Sequence, residues 1–315
     1  MRGVGGSFVL GLLAIGACGG GASGGAGAAG PGCGSLAATC GPAGNASCCA
    51  TADVPGGSYV RGYDGVSFAD GSTGAATVSA FRLDTYLLTV GRFRAFVEAG
   101  QGTRAAPPAA GAGAGAHARI VGSGWDPAWN GSLVEAGGLP AALKCGGETW
   151  TDGAADHEDL PLNCVTWFEA FAFCAWDGGF LPTEAEWNFA AAGGAEQRVY
   201  PWSSPPTSAT IDDGDAVYCG GACALEPVGS RSPAGDGRWG QADLAGSVWE
   251  WNLDWMADYA EPCVDCAVVS GGDYRIARGG GFKSMPAELR TALRSWGTPA
   301  ERDSFFGARC ARAAR

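Results

Sequence analysis

Residues 240–255 read Gly-Gln-Ala-Asp-Leu-Ala-Gly-Ser-Val-Trp-Glu-Trp-Asn-Leu-Asp-Trp. Trp249, Trp251 and Trp255 fall within one short run, interleaved with Glu250 and Asp254. Each such ring removes roughly 150–250 Å² from water when packed inside, so the stretch belongs in a core rather than in a surface loop. Acidic groups among these rings need partners, either a cation or arginines. Asp243 and Glu250 flank a turn at Gly246, so two carboxylates and the intervening backbone carbonyls can converge on one hard cation. Ligation by oxygen alone suits Ca²⁺.

The rest of the chain supports a loop-rich setting for this stretch. It has 315 residues, with 55 glycines and 12 tryptophans but only 17 % charged residues, which predicts short elements joined by many turns. A net charge of −12 argues against nucleic acid, whose phosphates need clustered Lys and Arg, and against adsorption to an anionic membrane surface.

The N-terminus reads as a targeting signal. Arg2 precedes an apolar run over residues 7–17 that is too short to span a bilayer. The run ends in Ile15-Gly16-Ala17-Cys18, which resembles a bacterial lipobox, so residues 1–17 are expected to be removed and Cys18 to carry lipid. The expected location is extracytoplasmic, anchored to a bacterial membrane through lipid alone, with the outer membrane favoured. Residues 18–52 form a Gly/Ala- and Cys-rich tether, of which 33–50 is a cysteine-rich knot or a continuation of the tether. Residues 53–315 form the globular domain.

Export gives the cysteines meaning. Setting Cys18 aside from the 13 leaves an even number. Cys33, Cys40, Cys48 and Cys49 cluster, with their pairing open. Cys145 and Cys164 bracket a loop, Cys219 lies close to Cys223, and Cys263 lies close to Cys266. Cys174 and Cys310 are left over. Six disulfides is the simplest account, although Cys263-x-x-Cys266 also has the spacing of a redox pair or half a zinc site.

Along the chain, Ser58-Tyr59-Val60 reads as a short strand. Residues 77–89 alternate as one strand, with Phe81, Leu83 and Thr85 on one side. Phe93, Phe96 and Val97 have helical spacing over residues 90–99. Residues 104–118 are a low-complexity insert, expected as a mobile surface loop with His117 solvated at its end; His157 is expected in a charged loop. Thr166-x-x-Glu169 and Thr183-x-x-Glu186 match the capping box and predict helices running to about residues 176 and 192. Arg275, Arg278, Arg290, Arg294, Arg309 and Arg312, among apolar residues, are expected to pair with buried carboxylates.

Several motifs in order resemble the sulfatase-modifying-factor family, the group that includes formylglycine-generating enzymes. They are Pro161-Leu-Asn-Cys-Val-Thr-Trp-Phe-Glu-Ala170, the most specific signature Leu181-Pro-Thr-Glu-Ala-Glu-Trp187, Tyr200-Pro-Trp202, Gly246-Ser-Val-Trp-Glu-Trp251, Arg278-Gly-Gly280 and Gly307-Ala-Arg-Cys-Ala311. The resemblance implies an α+β fold, irregular and loop-rich, a variant of the C-type-lectin-like fold. It implies structural Ca²⁺ held by the side chains of Asp243 and Glu250 and the carbonyls of Gly246 and Val248, with Asp212 as a candidate for a second calcium site. It also implies a Cys174–Cys310 disulfide.

In the enzymes of this family two cysteines after the Arg-Gly-Gly turn bind copper(I), a soft ion that prefers thiolates. Here those positions are Ser284 and about Leu289, Gly281 stands where the motif has serine, and a second family disulfide is replaced by Ala191 and about Thr291. The related ergothioneine-type enzymes hold iron with histidines, and this chain has only His117 and His157. A hydrolytic role for Ser284 would need a base, for which Glu288 is the nearest candidate. The expected function is therefore a calcium-stabilised binding or scaffolding module without copper, taking a peptide, protein or small molecule, with no nucleic acid and as a monomer. The alternative is a divergent metal-dependent oxidoreductase acting on a protein cysteine or a small substrate.

Overall fold

The computed structural model describes residues 1, 3, 30–34, 36–67, 73–109, 114–220 and 223–315. The elements run β1 (Thr51–Val54), β2 (Gly57–Arg61), β3 (Gly74–Val78), β4 (Phe81–Asp84), α1 (Val90–Glu98), α2 (Leu139–Ala142), α3 (Trp167–Trp176), α4 (Glu184–Ala191), β5 (Trp249–Trp255), β6 (Cys263–Val264), β7 (Arg275–Arg278), β8 (Ser295–Gly297), β9 (Phe306–Gly307) and β10 (Ala311–Ala313). Among the described residues helix accounts for 17 % and strand for 18 %, so most of this backbone is loop held by side chains and disulfides. This is the loop-rich build that the glycine and tryptophan content predicts, in the α+β class that the resemblance implies.

Three small sheets carry the body, in the orders β1-β4-β10, β2-β3-β6 and β8-β7-β5-β9. Strand β5 is the Trp-rich stretch. It pairs antiparallel with β7, placing Glu250 opposite Arg278, and parallel with β9, placing Glu250 opposite Gly307. Trp251 is fully buried in the main core with Trp167, Phe171 and Phe306, and Trp187 fills a second cluster with Phe81, Leu83 and Leu244.

Both predicted capping boxes form. The Thr166 Oγ1 accepts from Glu169 N at 3.2 Å and Glu169 Oε2 accepts from Thr166 N at 3.1 Å. The equivalent pair at Thr183 and Glu186 spans 3.0 and 2.9 Å. Helix α3 is buried on nearly every side, as expected of a helix carrying Trp167, Phe168, Phe171 and Phe173. Strand β2 and helix α1 also lie where the sequence places them.

Three expectations are corrected. The single strand over 77–89 is two strands in different sheets, because Asp265 accepts both Ser79 N and Ser79 Oγ at 2.7 Å and turns the chain there. Phe81 and Leu83 are buried, and Thr85 is half-buried just past the end of β4. The described part of the 104–118 insert is packed rather than free: Gly115 lies against Phe171 and Ala175 of α3, and His117 is buried. Residues 110–113 lie outside the described residues.

The 33–50 segment is a knot. Cys33–Cys49 and Cys40–Cys48 close it, and Cys40 and Cys48 pack with Tyr86, Leu87 and Val228. The other four pairs are Cys145–Cys164, Cys174–Cys310, Cys219–Cys223 and Cys263–Cys266. Cys18 and the lipobox lie outside the described residues. Among the described residues no helix is long and apolar enough to cross a membrane.

Candidate functional site

The site is built where two turns meet. Gly246 has φ +83°, and a Cβ there would lie 2.4 Å from Val217 O, so only glycine serves. Gly246 N donates to Gly279 O at 2.9 Å, and Phe282 N donates to Ser247 O at 2.7 Å. These bonds lay the 279–285 turn directly on the turn that precedes β5. Gly279, at φ +99°, leaves room for the Trp187 ring. The structure thereby brings together motifs that are far apart in sequence.

The scaffold beneath is a lattice of buried ion pairs. Glu184 accepts from Arg278 at 2.6 and 3.1 Å and from Arg294 at 2.8 and 3.0 Å. Arg278 Nη1 also donates to the carbonyls of Ala292 and Leu293 at 2.9 Å, which holds the 291–293 loop. Burial opposes ionisation of Glu184, but the two guanidiniums outweigh it and hold its carboxyl below the usual range. Arg92 joins Asp84 and Asp177 at 2.7 Å each, and Arg312 meets the same two carboxylates. Arg290 pairs with Asp64 at 2.7 Å. Arg275 instead stacks between Trp167 and Trp255, 3.6 and 3.5 Å from the ring centres, and donates to Leu253 O.

The calcium expectation concentrates on Asp243, Gly246, Val248 and Glu250. Asp243 is buried, and desolvation pushes its carboxyl up to about 6 although Gly229 N donates to Oδ2 at 2.7 Å. Arg309 touches the Asp243 carbonyl, at 3.1 Å, and not its carboxylate. Among the described residues no hydrogen bond to the carbonyls of Gly246 or Val248 occurs outside the strand ladders. The Asp243 carboxylate thus accepts from a backbone N–H rather than from an arginine. Glu250 differs: both its oxygens accept from Arg309, at 2.6 and 2.9 Å, so its charge is already balanced. Burial still pushes Glu250 upward against that arginine. At the second expected site, Asp212 Oδ1 caps Gly214 N at 2.7 Å and Asp212 N donates to Asp215 Oδ2 at 3.0 Å, an exposed turn closed on itself. Among the described residues no three His, Cys, Asp or Glu side chains gather into a metal-holding group.

Ser284 is buried at the end of the 281–284 turn. Its Oγ accepts from Gly281 N at 3.1 Å, and its carbonyl accepts from Cys219 N at 3.0 Å. Glu288 is turned to Met285 N, at 2.7 Å, rather than to Ser284. Leu289 is buried with Val199, Tyr200 and Tyr218. These residues do not fit copper(I): one position carries a hydroxyl, the other an alkyl chain, and every cysteine among the described residues is in a disulfide. The second substituted disulfide is also buried, at Ala191 and Thr291, and Asn188 Nδ2 ties α4 to Thr291 O at 2.8 Å. Around the turn, Lys283 Nζ sits 5.1 Å from the ring centres of both Phe282 and Phe305, Trp249 borders Gly281, and Met285 is exposed.

Sequence reasoning missed the histidine. His117 Nε2 lies 3.1 Å from Glu186 Oε1, and its Nδ1 accepts from Arg119 N at 3.2 Å. The expectation of a solvated His117 is overturned by this burial, since the ring packs edge-on against Phe180 and clamps the insert to α4. Nothing local to residues 104–118 signals it. His157 is half-buried, with Nδ1 3.0 Å from Thr149 O.

The chain matches the sulfatase-modifying factor enzyme 1-like domain over residues 37–314. It is 34 % identical over 283 residues to the formylglycine-generating enzyme of Streptomyces coelicolor, covering 82 % of this chain and 87 % of that protein. It is 37 % identical over 168 residues to hercynine oxygenase of Mycolicibacterium smegmatis, covering 49 % of this chain and 37 % of that protein. PvdO from Pseudomonas aeruginosa superposes with a TM-score of 0.59 at 19 % identity, covering 84 % of this chain and 94 % of PvdO. Treponema denticola variable protein 1 superposes at 0.55 with 18 % identity, covering 84 % and 95 %. These two structures bear on the fold alone.

Proposed function

The chain belongs to the sulfatase-modifying factor enzyme 1-like family, and from that premise we propose that it is an exported, lipid-anchored binding module that has given up copper oxidase chemistry. The observation that carries the reading is the pair Ser284 and Leu289. A hydroxyl committed to Gly281 N and a buried alkyl chain stand where the resemblance places two thiolates. The surface that remains is a turn with Lys283 over Phe282 and Phe305, bordered by Trp249 and Met285. A cation over aromatic rings beside an exposed thioether suits binding of a peptide, protein segment or small molecule. The lipobox ending at Cys18 and the six disulfides support export. Calcium at Asp243, Gly246 and Val248, with Glu250 at its edge, is the proposed support beneath this surface, where it would neutralise the buried Asp243.

The test is metal content and turnover on the same preparation. Purified protein should carry calcium and no stoichiometric copper or iron, and chelation should lower its thermal midpoint. A Cys-x-Pro-x-Arg peptide should keep its thiol after aerobic incubation. Oxygen-dependent loss of that thiol, or one copper or iron per chain, would establish the oxidoreductase reading that the 34 % identity to an enzyme keeps in view. An unchanged midpoint after chelation would remove calcium from the account.

A further inference from the structure

One disulfide differs from the rest in its surroundings. Cys263 and Cys266 are three residues apart, at the end of the β2-β3-β6 sheet, where Ala76 of β3 pairs with Cys263. Cys263 is buried and Cys266 is partly exposed. Arg61 of β2 is itself 5 % exposed, and its Nη1 donates to Cys266 Sγ at 3.5 Å. Its other donors reach backbone carbonyls, Ala260 O at 2.7 Å and Gly74 O at 3.4 Å, and its face lies 4.5 Å from the Tyr259 ring centre. Among the described residues Arg61 has no carboxylate within 4.0 Å. A buried guanidinium without a counter-ion is costly. The Cys266 sulfur lies within reach of Arg61 Nη1 and becomes an anion beside it once the pair is reduced.

The remaining charged groups around the loop are already engaged. Asp265 is held by Ser79 N and Oγ at 2.7 Å and lies 3.5 Å from Arg119, and Glu261 accepts from Ala75 N at 2.7 Å. Beside the pair runs an open groove of about 540 Å³ lined by Tyr59, Ala76, Thr77, Pro262, Cys263 and Val264. Val264 is strongly exposed.

We propose that Cys263–Cys266 is a thiol–disulfide exchange site that oxidises a peptide dithiol, with Cys266, the more exposed sulfur, as the exchanging sulfur and Arg61 as its positioning cation. A thiolate of the dithiol attacks Cys266 Sγ. The bond to Cys263 breaks, Cys263 keeps the electron pair and takes a proton, and Cys266 is joined to the peptide. The second peptide thiolate then attacks the peptide sulfur of that mixed bond and expels Cys266 as a thiolate beside Arg61. The peptide has lost two electrons and gained a disulfide, and the protein pair has taken both electrons. A cation that stabilises the reduced form makes a disulfide more oxidising. It also lowers the pKa of the freed thiol. This site is separate from the turn at Ser284 and does not rest on the binding reading.

The experiment equilibrates the intact protein in glutathione buffers of graded ratio, quenches in acid, alkylates and maps the labelled cysteines by mass spectrometry. Cys263 and Cys266 should be labelled in the most oxidising buffers that label any pair, while Cys174–Cys310 stays closed. In the singly reduced protein, alkylation of Cys266 should have its pH midpoint at least one unit below the ordinary value of about 8.5. Arg61→Gln should return the midpoint toward that value and make the pair harder to reduce. Opening only together with the buried pairs would overturn the proposal, as would an unshifted midpoint in the unsubstituted protein. If Arg61→Gln does not fold, those two measurements on the unsubstituted protein decide alone. If it folds with an unmoved midpoint, the role of Arg61 is refuted.

Discussion

At the scale of the residue, Glu184 carries two arginines, Arg278 at the end of β7 and Arg294 just before β8. Replacing it by glutamine takes the shared carboxylate away from buried Arg278 and Arg294, and removing one partner of a buried pair costs about 3–5 kcal/mol. Glu184→Gln should lower stability by that order in urea unfolding. The carboxyl of Glu184 is held low, so its contribution is present above the unfolded value and lost as pH falls through the folded one. Asp254 behaves in the opposite sense. Burial, and then the charge of Glu184, raise it from 3.8 to about 7, while its oxygens accept from Glu184 N and Val268 N at 2.8 and 2.9 Å. The folded state then binds a proton that the unfolded state releases. Its stabilisation is full below the unfolded value and declines as pH rises from about 4 to about 7. Compared with the unsubstituted protein, Asp254→Asn should flatten that decline, at the cost of one acceptor. Identical slopes of stability against pH would refute the assignment.

At the scale of the element, helices α3 and α4 begin at capping boxes that are read within four residues of sequence. Thr183→Ala removes the acceptor for Glu186 N and should cost about 1 kcal/mol, with Thr183→Ser restoring most of it. Unfolding midpoints of the three proteins would show this, and equal midpoints for threonine and alanine would exclude the cap. These helices were legible because hydroxyl and backbone lie in one turn. The break between β3 and β4 was not, since the side chain that bends the chain at Ser79 is Asp265, 186 residues away in sequence. Strand β5 is intermediate. Its tryptophans announce burial, but its partners, β7 on one side and β9 on the other, depend on how the C-terminal segment returns.

At the scale of the whole molecule, loops outweigh elements, so covalent and ionic ties set the stability. Cys174–Cys310 links α3 to the segment before β10 across 136 residues, and both cysteines are fully buried. Removing both sulfurs, as Cys174→Ala with Cys310→Ala, should cost about 2–5 kcal/mol in denaturant unfolding. Arg309, next to Cys310, binds Glu250 and the carbonyls of Ala242 and Asp243, so the same segment also secures the turn proposed for calcium. Chelation should therefore weaken the Cys174→Ala/Cys310→Ala protein further than the unsubstituted one. Equal shifts of the thermal midpoint would mean that the two ties act independently.

The amino-acid sequence by itself determined the helix starts, the twelve cysteines downstream of Cys18, the burial of the Trp-rich stretch and, through ordered motifs, the fold. These are properties of neighbouring residues or of residue content. Only the tertiary structure decided which charges meet. His117 reaches Glu186 over 69 residues, Arg61 reaches Cys266 over 205, and Glu250 is claimed by Arg309 over 59. Buried polar groups must find partners wherever the packed chain supplies them, and with so little regular structure to constrain the path, that choice is made in space rather than along the sequence.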